Sequence, residues 1–388
     1  MSVTRAVGFQ AAGVTAGLKP SGRPDLALVV NTGPDHVAAA VFTSNRVKAA
    51  PVLWSQQAVA DGRLAAVVLN SGGANACTGP AGFADTHRTA ELVAAALSAG
   101  GTEVGAGDVA VCSTGLIGTR LPMDLIDAGV VAAAGALDED GGSEAARAIM
   151  TTDTVPKTAA YVDEGWSVGG MAKGAGMLAP GLATMLVVIT TDAVLDAEAA
   201  DAHLRQACSA TFDRVDSDGC MSTNDTVVLM SSGASGVRPA AHDFQAALAE
   251  TCHDLAMQLL RDAEGAAHDI TIEVQHAAND DDALEVARAV ARSNLFKCAV
   301  FGGDPNWGRV LAALGTTRAD FEPDRIDVAF NGVEVCRDGA IGEDRSLVDL
   351  SARDVRVVIN LRNGRGRATV WTNDLTYDYV KENAEYST

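Results

Sequence analysis

Basic residues are scarce in this sequence: 29 Lys and Arg stand against 50 Asp and Glu in 388 residues, a formal charge of −21. That balance argues against nucleic acid or an anionic membrane surface as a partner. No basic start followed by an apolar stretch opens the chain, and no run approaches the roughly 18 apolar residues that a membrane helix needs. The seven cysteines, Cys77, Cys112, Cys208, Cys220, Cys252, Cys298 and Cys336, are odd in number and scattered, with no C-x-x-C pair. Reduced, mostly buried thiols in a reducing compartment are the expectation. The seven histidines are equally dispersed and show no zinc spacing, so no metal is expected. What the chain has is apolar bulk. With 48% hydrophobic and 20% charged residues, it can bury a sizeable core as two lobes or one large α/β unit. A soluble cytoplasmic enzyme fits.

The most informative stretch lies near the middle. Gly169 to Gly181 is rich in glycine and punctuated by Pro180, and reads as a loop able to take unusual backbone angles. Met185 to Asp192 follows as a β-branched run that reads as a buried strand. Thr184 stands at the junction. Hydroxyl residues are common where loops become strands, because their side chains bond the local backbone. The functional reading is sharper: the Thr184 hydroxyl attacks the Ala183 carbonyl, and water then releases a new chain beginning at Thr184. Such a residue carries its own base, since an α-amine titrates near 7.7 to 8, against about 10.4 for a lysine. It is also held beside the hydroxyl that it must activate.

Elsewhere the pattern alternates strands and helices. The first seventy residues read as strands and turns, with 25–30 and 65–69 the clearest strands. Further strands are expected at 109–113, 158–162, 227–230, 270–274, 325–330, 355–361 and 368–372. Helices are expected at 88–98, 122–137, 196–208, 241–262 and 280–294, with Asp138 to Gly142 a solvated turn. In the longest helix Phe244, Leu248, Cys252, Leu255 and Leu259 recur on one face. Glu264, in its last turn beside Gly265, opposes the helix dipole. Alternating aspartates from Asp213 to Asp218 superficially suggest a calcium loop, but the EF-hand pattern is missing. Phe301 to Arg309 is Gly-rich without being a Walker loop or a G-x-G-x-x-G fingerprint, so no nucleotide site is supported. No internal repeat or long linker is present.

Several blocks carry a family resemblance. Lys173-Gly174-Ala175-Gly176-Met177-Leu178-Ala179-Pro180 followed by Ala183-Thr184-Met185-Leu186 resembles the self-cleaving motif of the ornithine acetyltransferase (glutamate N-acetyltransferase) family of arginine biosynthesis. Asn70 to Gly79 resembles its N-S-G-N-A-N-A-C-T-G block, with Gly73 in place of the second Asn. Ser222-Thr223-Asn224-Asp225-Thr226, Gly303-Asp304-Pro305-Asn306-Trp307-Gly308-Arg309 and the tail to Thr388 match further blocks. The first of these is expected to support the active-site strands, the second to pack beside the site.

The resemblance implies an α/β fold of layered sheets and helices, of the ornithine acetyltransferase or DmpA-like, N-terminal-nucleophile-like type. It implies cleavage into an α chain, residues 1–183, and a β chain, residues 184–388, that remain associated as an α2β2 heterotetramer. Thr184 would be the nucleophile, and Thr114 and Gly115 the oxyanion hole that acyl transfer needs. Thr151, Lys173, Thr184, Glu264, Asn383 and Thr388 would contact substrate. Lys173 suits a carboxylate and Glu264 the cationic amine of ornithine. Acetyl would pass from N-acetylornithine to glutamate by a ping-pong route, yielding ornithine and N-acetylglutamate, with no cofactor. The sequence leaves open acetyl-CoA as an alternative donor. It also leaves two other readings: a self-processing amidohydrolase or aminopeptidase, and an amino-acid-binding protein with Thr184 an ordinary strand residue.

Overall fold

The structure is a computed structural model that describes residues 2–179 and 185–385. Before the central loop come β1 (Phe9–Val14), β2 (Leu26–Asn31), β3 (Val37–Phe42), α1 (Ala50–Ala58), β4 (Ala66–Ser71), α2 (Gly79–Ala99), β5 (Val109–Thr114), α3 (Met123–Gly135), α4 (Gly142–Ala148), β6 (Lys157–Asp163) and β7 (Trp166–Lys173). After it come β8 (Leu186–Thr191), α5 (Ala197–Ala210), β9 (Thr226–Ser231), α6 (Ala241–Arg261), β10 (Asp269–Ala277), α7 (Asp280–Ala291), α8 (Asn294–Phe301) and α9 (Trp307–Leu314). The chain finishes with β11 (Asp327–Phe330), β12 (Val333–Arg337), β13 (Ala340–Ile341), β14 (Asp354–Asn360), β15 (Gly366–Asn373) and α10 (Tyr377–Glu385).

Among the described residues the strands form three sheets, ordered β1-β2-β4-β5, β3-β9-β8-β7-β6 and β13-β12-β11-β14-β10-β15. The first two lie face to face, and the strand sequences show why. Every residue of β2, β4, β5, β8 and β9 is buried, and a run of four or five of the six in each is apolar, as strands covered on both faces require. Ala27 and Val29 of β2, Val67 and Leu69 of β4, and Val188 and Met230 of β8 and β9 meet in the core between the sheets. Their sequence neighbours point outward: Leu26, Leu28 and Val68 to α2 and α3, and Val187, Ile189 and Leu229 to α5 and α6. The result is helix, sheet, sheet, helix. The third sheet packs α7 and α9 against one face, around Ile272, Val286, Val310 and Val357.

The layered α/β class is as expected, and the buried face of α6 contains the anticipated Phe244, Leu248, Cys252, Leu255 and Leu259. Other local expectations fail for physical reasons. Residues 50–58 are a helix, α1, because Pro51 sits in the first turn, where its missing N–H costs nothing. α2 likewise begins nine residues before the expected 88, with Pro80 in its first turn. The expected 280–294 helix breaks, Ser293 capping a separate α8. Asp138 to Asp140 are exposed as anticipated, but Gly142 starts α4, a short helix packed on β1. The largest difference is in the Gly-rich stretch, whose first part, Gly169 to Lys173, is not loop but the end of β7. A Cβ at Gly169 would collide with the Ser2 carbonyl. The glycine therefore admits the N-terminal segment, whose Val3 carbonyl accepts from Thr190 Oγ1 at 2.6 Å.

Registers bring functional ends together. Ser71 of β4 pairs with Thr114 of β5, Lys173 of β7 with Leu186 of β8, and Leu186 with Thr226 of β9. Asn224 ties the two sheets at that end, donating from Nδ2 to the Ala74 and Ser113 carbonyls at 2.7 and 2.8 Å.

Gly169→Val should lower unfolding stability by roughly 3 kcal/mol or more, because a backbone carbonyl cannot yield to a new side chain. Gly135→Ala, at the end of α3 with open space around its Cβ position, should raise it by about 0.5 kcal/mol. Urea unfolding midpoints of the two variants test this contrast.

Candidate active site

β5 ends at Thr114, which is 3% exposed. The chain leaves it through Gly115 at φ +129°, where a Cβ would lie 2.7 Å from Gly73 N. Glycine is needed on both counts. The neighbouring loop is clamped there: Gly73 N donates to the Thr114 carbonyl at 3.0 Å, and Asn70 Nδ2 to the Gly73 carbonyl at 3.0 Å. Gly73, where the resemblance has Asn, keeps these backbone bonds. A side chain there would press on Leu121, 2.9 Å from its Cβ position.

Lys173 ends β7 and is 2% exposed. Its Nζ donates to Thr114 Oγ1 at 3.2 Å. Asp153, buried beside it, accepts from Lys157 Nζ at 2.6 Å, Gly174 N at 2.7 Å and Thr151 N at 2.9 Å. Lys157 bonds Asp262 as well, also at 2.6 Å. Burial alone would push the Asp153 carboxyl up. The Lys173 and Lys157 ammoniums outweigh it and hold the group at about 2, against an ordinary 3.8. Burial also pulls Lys173 below the usual lysine range, and the Asp153 charge opposes that pull.

Downstream, Gly174 and Met177 carry the chain away from β7. Met177 lies at φ +52°, a left-handed conformation costly for a methionine. Gly176 makes room for Glu264, whose Oε2 would be 2.7 Å from a Cβ there. Glu264 is not in the last turn of α6, which ends at Arg261. It sits in the following loop, its N–H bonded to the Ala175 carbonyl at 2.9 Å. The dipole conflict expected from the sequence is therefore absent, and the carboxylate is placed by the Gly-rich loop. α10, in the tail that matches the family's terminal block, brings Asn383 Nδ2 to Glu264 Oε2 at 3.1 Å.

Thr114, Gly115, Thr151, Lys173, Glu264 and Asn383 all line one cavity of about 450 Å³. Ala183, Thr184 and Thr388 lie outside the described residues. Met185, next along from Thr184, donates its N–H to Asp225 Oδ1 at 3.1 Å. Asp225 is fully buried, and its Oδ2 has no hydrogen-bond partner among the described residues. Burial drives its carboxyl well above the ordinary carboxylate value, against the Met185 and Ser222 bonds and the Lys173 charge. The Ser222 to Thr226 string around it signalled structural support and gave no sign of this shift. The Gly303 to Arg309 block does not line the cavity. Asn306 caps α9, and Arg309 bonds the Leu295 carbonyl at 2.5 Å. Lys19 and Arg23 do line it, and no sequence signal had marked them.

The sequence pattern defining the ArgJ family matches residues 10–388. The chain belongs to the ArgJ family. It is 65% identical over 387 residues to the arginine biosynthesis bifunctional protein ArgJ of Streptomyces coelicolor, covering 100% of both chains. Identity to the protein of the same name from Thermobifida fusca is 63%, again over 100% of both. Identity to that of Mycobacterium tuberculosis is 58%, over 99% of this chain and 96% of the other. Among solved structures it is similar to the ornithine acetyltransferase of Mycobacterium tuberculosis complexed with ornithine. That chain is 65% identical with a TM-score of 0.46, the match covering 48% of this chain and 96% of that one.

The Asp153 network has a pH signature. Its folded carboxyl titrates below its unfolded value, so between the two the unfolded state binds more protons and stability drops as the pH is lowered. Its contribution, about 2 kcal/mol, is intact above pH 4 and is lost as pH falls toward 2. Asp153→Asn should be less stable at neutral pH by roughly 3 kcal/mol, because Lys157 and Lys173 lose a buried partner. It should also lack that part of the acid dependence. Urea melts from pH 7 to 2 check both.

Proposed function

We propose that the protein is a glutamate N-acetyltransferase that moves acetyl from N2-acetyl-L-ornithine to L-glutamate through an acetyl-Thr184 intermediate, after cutting itself between Ala183 and Thr184. The observation that carries the reading is the gathering of Thr114, Gly115, Thr151, Lys173, Glu264 and Asn383 on one cavity, in a chain whose relatives share the name arginine biosynthesis bifunctional protein.

In cleavage, Thr184 Oγ attacks the Ala183 carbonyl and the C–N bond breaks, so the peptide becomes an ester and the Thr184 α-amine is freed; water then hydrolyses the ester, leaving a carboxylate on Ala183 and restoring the Thr184 hydroxyl. In transfer, that amine takes the hydroxyl proton as Oγ attacks the acetyl carbonyl. The oxyanion receives donors from Gly115 N–H and Thr114 O–H. Lys173 supports this role for Thr114: an ammonium only donates, so a hydroxyl accepting from it at 3.2 Å turns its own proton elsewhere. The C–N bond then breaks, the ammonium protonates the leaving ornithine amine, and glutamate's amine reverses the steps. Lys173 takes the α-carboxylate, Glu264 with Asn383 the side-chain ammonium of ornithine, and Thr151 and Thr388 complete the contacts.

The second sheet supports lasting association of residues 1–183 with 184–388. β8 lies between β7, from before the cut, and β9, from after it, while β3 closes the far edge. An α2β2 assembly belongs to the same proposal. The relatives' bifunctional name favours acetyl-CoA as a second donor.

Thr184→Ala should remain one chain of full mass, while the wild type gives two fragments, one beginning Thr184-Met185-Leu186; intact mass and N-terminal sequencing decide. An uncut, folded wild type would sink the reading. Thr114→Ala should cut and fold but lose about 10²- to 10³-fold in kcat with KM little changed. Product analysis separates the runner-up hydrolase, which would release acetate where a transferase forms N-acetylglutamate.

A further inference from the structure

The cavity has two positive poles. Lys173 forms one. The other is Lys19, on the loop between β1 and β2, and its position is built rather than incidental. The buried Asp25 carboxylate accepts the backbone N–H groups of Ala16, Gly17, Leu18 and Lys19 at 2.6 to 3.1 Å, which fixes the loop. Lys19 Nζ is then held by the Met150 carbonyl at 2.6 Å and the Pro24 carbonyl at 2.9 Å. Both are neutral acceptors, and a lysine ammonium has a third N–H. Arg23 lines the same cavity, its exposed guanidinium held only by Ser21 Oγ at 3.5 Å among the described residues. Glu264 is the one carboxylate among the described lining residues.

This charge layout meets a requirement of ping-pong transfer, so the inference rests on the function proposed above. Donor and acceptor present the same reacting nitrogen and α-carboxylate to one nucleophile, but their side chains end in opposite charges. The ammonium of ornithine suits Glu264; the γ-carboxylate of glutamate placed against it would meet like charge. We infer that the two side chains diverge in the cavity, and that Lys19, backed by Arg23 at the rim, receives the side-chain carboxylate of the acceptor.

The test separates the half-reactions. Exchange of labelled ornithine into N-acetylornithine reports donor binding and acetyl-enzyme formation without glutamate. Lys19→Met should keep that exchange within about threefold while raising the KM for glutamate about 10- to 100-fold, as loss of a charge-assisted contact does. Arg23→Gln, whose side chain holds no structural carbonyl, should raise it several-fold and keeps the idea testable if Lys19→Met does not fold. An unchanged glutamate KM in a folded Lys19→Met, or in Arg23→Gln where Lys19→Met does not fold, would overturn the inference. So would equal loss of exchange and transfer. Absence of exchange in the wild type would instead defeat the underlying transferase reading.

Discussion

The constraint on which the site depends is one ammonium taken out of water. Lys173 can stay charged at the end of β7 only because Asp153 lies beside it, and Asp153 stays ionised only because Lys173 and Lys157 surround it. A buried charge without its partner costs several kcal/mol, so the three groups stand or fall together. Their bonds reach further than the charges. Asp153 also holds Gly174 N and Thr151 N, setting the start of the central loop and one wall of the cavity. Lys173 in turn orients the hydroxyl of Thr114.

That arrangement needs two sheets whose strand ends coincide. Strands buried on both faces leave no room for polar side chains along their length, so the chemistry collects at their ends. Parallel pairing of β4 with β5 and of β8 with β9 places Ser71 and Thr114 on one sheet and Leu186 and Thr226 on the other at a common edge. Asn224 bonds across it. Glycines serve the same end: Gly115 lets two loops touch, and Gly176 leaves space for a carboxylate.

The cavity is small and sharply polarised, with a carboxylate at Glu264 and cations at Lys173, Lys19 and Arg23 around it. Asp225, buried just before β9, accepts from Met185 N, and burial pushes its carboxyl upward.

Local pattern alone was enough for the buried strands, since β-branched runs such as residues 186–191 have few alternatives, and for the apolar face of α6, since a period near 3.6 is a property of the chain itself. The family resemblance likewise pointed to Thr114, Gly115, Thr151, Lys173, Glu264 and Asn383, six of the residues that line the cavity. Pattern failed where a neighbour far along the chain decides the outcome. Gly169 reads as loop by composition and is strand because the N-terminal segment needs its missing side chain. Glu264 reads as a helix end and is placed by the Ala175 carbonyl. Lys19 carries no motif, yet the Met150 carbonyl, 131 residues away, holds it at the site. Ionisation belongs to the same class: Asp153 and Asp225 are the same residue type, one carboxyl held below its ordinary value and the other driven above it. Desolvation and nearby charge set that difference, and both exist only once the chain has folded.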